Sequence, residues 1–366
     1  MGLEDGRNDK GTKQTKIRQI MSVIKYIINQ KATIKEALVA LDGNTHDRQT
    51  LFVVDDCEKM VGTLTDGDIR RALIAGIELS DAVEKAMHTN FKFVREGQND
   101  AKLLKEFREK QIFFVPVLDN EGHIVKVCNL IKYRNFLPVD AVLMAGGKGE
   151  RLRPLTEKTP KPLLPVGGKA IIDHNIDRLI DYGVKHINVT VNYLGEQLEE
   201  HFREPRNEVQ IQTIREPKFL GTIGSIKFVP EFYNDTVLVM NSDLFTNINY
   251  EDFYLHFKEH DADMSVAAVP YSVSIPYGIL DIEERRNIKG LIEKPTYDYY
   301  ANAGIYLIKR SALDLIPADT MFHSTDLLAA IVANGGKVIR FPLNGTWIDI
   351  GNPQEYKRAN DLVKYM

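Results

Sequence analysis

At 366 residues, 43% hydrophobic and 27% charged, the chain is long enough for two or three domains that each bury a core of their own. Its formal net charge of −4 excludes the broad basic surface on which binding to a nucleic-acid backbone depends, while leaving local basic pockets allowed. Two cysteines, Cys57 and Cys128, are too few for a disulfide framework and show no metal-ligand spacing. No apolar run approaches the ~20 residues that span a bilayer, and the opening MGLEDGRNDKGTKQTK lacks the apolar core of a secretory signal. The expectation is a cytoplasmic protein with reduced thiols and no nucleic-acid or membrane partner, in which residues 1–16 form a disordered leader.

From Ile17 to about Phe136 the chain repeats itself. FVVDDCEKMVGTLTDGDIR, from Phe52, aligns with VPVLDNEGHIVKVCNLIKY, from Val115, each reading as strand, polar turn, strand and helix start. Counting forward without a gap from Asp55 and from Asp119, Met60 falls opposite Ile124, Thr65 opposite Asn129, and Asp68 opposite Lys132. Helical segments precede each pair, Ile34 to Leu41 and Ala101 to Phe107, with apolar residues at three- and four-residue spacing. Each unit is too small to bury its own sheet, so the two are expected to pack together.

This arrangement resembles a tandem pair of cystathionine-β-synthase (CBS) domains, an α+β module expected over residues 17–137. Gly62-Thr63-Leu64-Thr65-Asp66-Gly67-Asp68 is similar to the ribose-phosphate motif of that family. The resemblance implies that the Thr65 hydroxyl faces phosphate and the Asp68 carboxylate accepts ribose hydroxyls of a regulatory nucleotide. Asn129 and Lys132 replace them in the second copy, so one working site at most is expected. Thr-x-x-Asp is equally an ordinary helix N-terminal cap. CBS pairs often associate, which makes a homo-oligomer the expectation.

After Pro138 strands alternate with helical stretches, the pattern of a largely parallel sheet with helices on its faces. Expected strands are Ala141–Ala145, His186–Val191, Val209–Ile214, Val237–Asn241, Met264–Val269 and Gly304–Ile308. Expected helices include Ile171 to Tyr182, Leu194 to Phe202, Phe253 to His260 and Pro353 to Lys364. In such sheets ligands collect beyond the carboxyl ends of the strands. The first strand runs there into Gly146-Gly147-Lys148-Gly149, where residues without Cβ let backbone N–H groups converge on an anion. Arg151, Arg153 and Lys161 add full positive charge. The loop is neither a Walker A motif, since no Lys-Ser or Lys-Thr stands at the required spacing, nor G-x-G-x-x-G, since Leu152 takes the place of the last glycine.

What matches from Gly146 through Pro162 is G-G-x-G-[ST]-R-L-x-P-L-T followed by P-K-P, the signature that resembles sugar-1-phosphate nucleotidylyltransferases. Glu150 is the one departure, standing where a small hydroxyl residue is usual. A carboxylate beside a triphosphate is electrostatically unhelpful, so Glu150 is expected to point away or to meet base or solvent. Further segments follow in the family's order: Leu220-Gly221-Thr222-Ile223-Gly224-Ser225, Asn241-Ser242-Asp243, Tyr277-Gly278, Ile292-Glu293-Lys294-Pro295, Ala301-Asn302-Ala303-Gly304-Ile305-Tyr306 and Trp347-Ile348-Asp349-Ile350-Gly351. Order is the context that short patterns need for confirmation.

The resemblance implies an α/β catalytic domain over residues 138–366, a Rossmann-like mixed sheet of the glycosyltransferase-A type. It implies attack of a sugar 1-phosphate oxygen on the α-phosphorus of a nucleoside triphosphate, a meeting of polyanions that needs cations more than a base. In this reading Gly146, Gly147, Gly149 and Gly221 contact the nucleotide. Arg151 holds the triphosphate and departing pyrophosphate, Lys161 the α-phosphate, and Lys294 the sugar phosphate. Asp243 and Asp349 hold Mg²⁺, while Gly278, Glu293 and Asn302 meet the sugar. The order of a CBS pair followed by this domain resembles bacterial guanylyltransferases that feed surface-sugar pathways such as legionaminic acid synthesis. It implies GTP as the nucleotide and glucosamine 1-phosphate as one substrate type. No residue from Arg215 to Gly221 is expected to distinguish guanine from uracil or thymine. A single helical stretch after Gly351 leaves acyl transfer unexpected. The rival reading is a non-catalytic nucleotide sensor on the same fold, which should have lost charges that this chain keeps at Arg151, Lys161, Asp243, Lys294 and Asp349.

Overall fold

The repeat in the first third of the sequence is a repeat of structure. The computed structural model describes residues 24–43, 50–97, 100–283 and 286–365; the expected leader lies outside them. The chain divides after Asn135 into two units. In the first, β1 (Ile27–Asn29), α1 (Ile34–Asp42), β2 (Thr50–Val54), β3 (Met60–Thr65) and α2 (Asp66–Ile74) are followed by β4 (Val94–Arg95), α3 (Ala101–Glu109), β5 (Phe114–Leu118) and β6 (Ile124–Asn129). Each copy makes a three-stranded sheet in chain order, parallel and then antiparallel, with a bulge at the corresponding place. Thr65 pairs with Thr50 where Asn129 pairs with Phe114, so the ungapped sequence alignment is also the structural one. Phe52 and Met60 of the first copy pack with Phe114 and Leu118 of the second, giving each small sheet the cover it lacks alone.

Apolar runs such as Ala141–Ala145 alternate with nothing because both faces of the strand are covered. The second unit contains β7 (Asp140–Ala145), α4 (Ile171–Asp181), β8 (His186–Val191), α5 (Gly195–His201), β9 (Ile211–Arg215), β10 (Thr236–Asn241), β11 (Leu244–Thr246), α6 (Tyr250–Glu259), β12 (Met264–Ser274), β13 (Ile279–Ile282), β14 (Ile288–Ile292), β15 (Thr296–Lys309), α7 (Ser324–Ala333), β16 (Val338–Pro342), β17 (Trp347–Asp349) and α8 (Pro353–Leu362). Seven strands form one mixed sheet in the order β9-β8-β7-β10-β15-β12-β16. β9, β8, β7 and β10 run parallel, and β15 is antiparallel to both its neighbours. On one side Val142, Val239, Tyr306 and Ile308 pack against Leu327 and Ile331 of α7.

A second pairing positions the site. β11 runs antiparallel to β17, with Leu244 opposite Asp349, so residues more than a hundred positions apart in sequence meet just beyond the end of β10. Asn175 of α4 donates to the Leu244 carbonyl at 2.8 Å and holds that corner against the helix. Asn352 caps α8 by accepting from the amides of Gln354 and Glu355, with Pro353 in the first turn.

Several expected bounds shift. β9 begins two residues later than Val209, α6 begins three residues before Phe253 because Asn249 supplies the cap, and β12 and β15 run well past their expected ends as a ribbon. Among the described residues no helix is long and apolar enough to cross a membrane.

Buried Asp140 opens β7 and accepts from the amides of Tyr233 and Asn234 and from the Asn234 side chain, clamping the turn that leads into β10. Asp140→Ala leaves those donors unmatched and should lower stability by about 2–4 kcal/mol, read as a fall in the urea midpoint of the second unit with an unchanged slope.

Candidate active site

The glycine loop leaves β7 at the carboxyl end of the sheet and lines a cavity of about 650 Å³. A Cβ on Gly146 would collide with the Glu216 carboxylate. Gly221 sits at φ +80°, and a Cβ there would stand 2.5 Å from the Phe322 carbonyl oxygen, so this position requires glycine, whereas a Cβ at 146 would have to displace the Glu216 carboxylate. The same cavity is lined by Gly147, Lys148, Gly149, Glu150, Arg151, Lys161 and Asp243. The expected nucleotide residues and three of the four expected catalytic residues are therefore brought together.

Lys161 lies in a 3-10 turn, Lys161–Leu163, that follows Pro160, and its side chain is only 10% exposed. Its ammonium makes an ion pair with Asp243 Oδ2 and stands 3.9 Å from Asp349 Oδ1. Burial, and next the Asp243 charge, push the Asp349 carboxyl above the usual carboxylate range. Arg151 lies on the other side, its guanidinium close enough to Gly351 that a Cβ there would come within 3.0 Å. Glu150 is 64% exposed and lies 3.9 Å from Arg153, and it also belongs to the lining of the cavity.

The two carboxylates fit a divalent cation. Asp243 Oδ1 is buried and has no hydrogen-bond partner among the described residues, while Oδ2 is held by Lys161. One unmatched carboxylate oxygen beside a second acid is a donor set that Mg²⁺ accepts, since it takes one or two carboxylates with phosphate and water oxygens. No cluster of three or more His, Cys, Asp or Glu suited to a metal occurs among the described residues.

Between Arg215 and Gly221 the cavity wall carries a buried acid, Glu216, that the sequence pattern did not single out. It follows β9 directly, is 5% exposed, lines the cavity and accepts from the Leu220 amide at 3.3 Å. Burial holds its carboxyl above the usual range. The signal in the sequence was an acid placed between an apolar strand and the Leu-Gly-Thr segment.

The expected sugar residues are not among those lining this cavity. Gly278 and Glu293 face each other across a ribbon, a Cβ on the first lying 3.0 Å from Oε2 of the second. Lys294 is exposed, in the left-handed region at φ +44°. Asn302 donates to the Tyr306 hydroxyl at 2.9 Å and accepts from the Gly304 amide. In the first unit Thr65 caps α2 and forms a reciprocal capping box with Asp68, whose carboxylate also pairs with Arg71 at 2.5 Å. Thr65 lines a cavity of about 550 Å³ together with residues of both copies; Asp68 is not among its lining residues.

Residues 140–365 match the Nucleotidyl transferase family, and residues 17–75 match the CBS domain. The chain is 31% identical over 232 residues to the bifunctional protein GlmU of Methanococcus maripaludis, covering 61% of this chain and 54% of that one. It is 30% identical over 234 residues to the mannose-1-phosphate guanylyltransferase of Mycobacterium tuberculosis, covering 62% and 65% respectively. The crystal structure of HddC from Yersinia pseudotuberculosis aligns with a TM-score of 0.49 at 26% identity, over 62% of this chain and all of that one.

Removing Lys161 leaves two neighbouring acids uncompensated in a partly buried site. Lys161→Ala should destabilise the metal-free protein by on the order of 3 kcal/mol, and millimolar Mg²⁺ should restore more of the melting temperature in the variant than in the parent protein. An unchanged melting curve in EDTA would contradict the electrostatic account.

Proposed function

The chain belongs to the nucleotidyl transferase family, and from that premise we propose that it joins a nucleoside triphosphate, GTP by preference, to a sugar 1-phosphate, releasing pyrophosphate and an NDP-sugar. One observation carries this reading: a buried lysine ammonium, held by Asp243 and within 3.9 Å of Asp349, at the glycine loop that ends the central strand. That grouping supports the reading because in-line attack on a triphosphate needs a fixed ammonium and metal-binding carboxylates beside a phosphate cradle.

The protein's own groups divide the work. Main-chain amides of Gly146, Gly147 and Gly149 receive the phosphates, with Gly221 lining the opposite wall. Exposed Arg151 takes the β- and γ-phosphates and the departing pyrophosphate. Lys161 meets charge as it builds on the α-phosphate. Asp243 and Asp349 would hold Mg²⁺, which when bound supplies charge neutralisation and orientation of the phosphate oxygens. Lys294 receives the sugar phosphate, and Gly278, Glu293 and Asn302 receive the sugar. No proton need be removed by a strong base, since a phosphate monoester is already an anionic nucleophile.

Glu216 supports the choice of guanine. The Watson–Crick edge of guanine presents N1–H and the N2 amino group side by side, two donors for one carboxylate. The other bases offer that carboxylate an acceptor beside a donor, and a buried group left unpaired is costly. Glucosamine 1-phosphate is the proposed sugar class, in a cytoplasmic, surface-sugar pathway. In the first unit, the cavity beside Thr65 is the proposed regulatory nucleotide site. Asp68 closes the helix cap and does not line that cavity in the free protein, so accepting ribose hydroxyls would require its carboxylate to leave the cap and turn toward the ligand.

Pyrophosphate release measured for GTP, ATP, UTP and dTTP against a panel containing glucosamine and mannose 1-phosphates tests the activity; no turnover with any pair overturns it. Glu216→Gln should lower kcat/KM for GTP by roughly ten- to a hundredfold, while leaving the weaker triphosphates nearly unchanged. Asp243→Ala should lower kcat itself by about a hundredfold or more with the fold intact.

The regulatory site is tested by calorimetry on the full chain with adenine and guanine nucleotides. Asp68→Asn, which keeps the cap geometry, should weaken binding about tenfold. Absence of heat with every nucleotide would refute the site.

A further inference from the structure

β12 and β15 leave the sheet together. β16 pairs with β12 only over Met264–Ala268, and β10 with β15 only over Ile305–Lys309. Beyond these points, among the described residues, the two strands pair only with each other, from Val269 opposite Ala301 to Ser274 opposite Thr296. The Ile275 amide then donates to the Pro295 carbonyl at 3.0 Å, and β13 and β14 continue the ribbon as far as Glu283, whose amide donates to the Asn287 carbonyl at 2.9 Å. The result is a long two-stranded arm with both edges open.

Its side chains do not suit water. Near the sheet, Tyr271 lies opposite Tyr299 and Val273 opposite Tyr297, which puts four apolar side chains on one face. The reverse face is matched within the chain, by a Ser272 to Asp298 hydrogen bond and by Arg340 lying 3.7 Å from the Tyr300 ring centroid. Further out Leu280 lies opposite Leu291 and Ile282 opposite Ile288. All eight are between 37% and 64% exposed. Exposed apolar patches beyond a few hundred Å² mark interaction surfaces, and a lone two-stranded ribbon is marginal in water without a further layer.

We propose that this ribbon is an interface between two copies of the chain, related by a two-fold axis that lays apolar pairs against apolar pairs. Three observations select a second copy as the occupant. Aromatic side chains bury roughly 150–250 Å² each when fully covered and the five aliphatic ones somewhat less; eight left about half exposed supply on the order of 700–800 Å², close to the share of each partner in a standard stable interface. The four acidic and four basic residues between Ile279 and Lys294 cancel, which suits a self-complementary contact and gives no attraction to an anionic membrane or nucleic acid. Open antiparallel edges can pair with their own symmetry mates, as isologous contacts require.

Sedimentation velocity of the full chain over a hundredfold concentration range tests the proposal, together with hydrogen exchange of residues 271–274, 279–282 and 288–292. The expected result is concentration-dependent association and amide protection that rises with it. Leu291→Asp, and separately Tyr271→Lys, should halve the particle mass at a given concentration and abolish the added protection while leaving the circular-dichroism melt in place. A parent protein that stays monomeric throughout overturns the interface. So does a pair of folded variants that assemble like the parent, or ribbon protection that is independent of concentration, which would mean that the arm is covered within a single chain.

Discussion

The second unit is built around one buried cation. Lys161 sits nearly out of water with Asp243 against its ammonium and the half-exposed Asp349 within 3.9 Å. Charges this deep are costly unless paired, and an incomplete set is worse than none. The scaffold that delivers them is correspondingly specific. Pro160 sets the turn for Lys161, β10 and β11 set Asp243, and β17 reaches Asp349 only by pairing antiparallel with β11. Any slip in that short pairing would move Asp349 to the other face.

The same constraint orders the cavity. The loop after β7 contributes main-chain amides because its glycines allow close approach, and Glu216 occupies the space that a Cβ on Gly146 would need. Cations line one part of the cavity and a buried carboxylate another, an arrangement suited to a ligand with a polyanionic end and a hydrogen-bond-donating end. Asp243 Oδ1 is buried and unmatched, a donor that a bound cation would use. The first unit follows a different logic: two small sheets, neither able to cover itself, share the apolar layer of Phe52, Met60, Phe114 and Leu118.

Much of this was legible in the chain. The repeat could be read without a gap because strand alternation and turn chemistry recur at equal spacing, and Thr65 and Asn129 do occupy equivalent places. The continuous apolar runs of β7 and β10 announced buried central strands. The glycine loop was legible because three glycines close together after an apolar strand mark a backbone open to an anion, and Gly149 takes a left-handed conformation there. Other features were not. The capping box explains Asp68 locally, so a motif shared by helix caps and ribose sites could not be resolved from spacing alone. The ribbon escaped because exposed apolar strands read like ordinary sheet strands; only pairing reveals that no further strand among the described residues flanks them.

By itself the sequence determined the local pieces: which stretches are strands and helices, where backbone without Cβ is required, and which charged residues are available. These follow from side-chain size, backbone freedom and periodicity, properties of neighbouring residues. The tertiary structure alone decided which charges meet. That Lys161 is held by Asp243 with Asp349 close by, that Glu216 closes the wall behind Gly146, and that Glu293 faces Gly278 apart from the lining of the main cavity depend on strand order and register. Register is set by the summed burial of whole strands, and no short motif carries that sum.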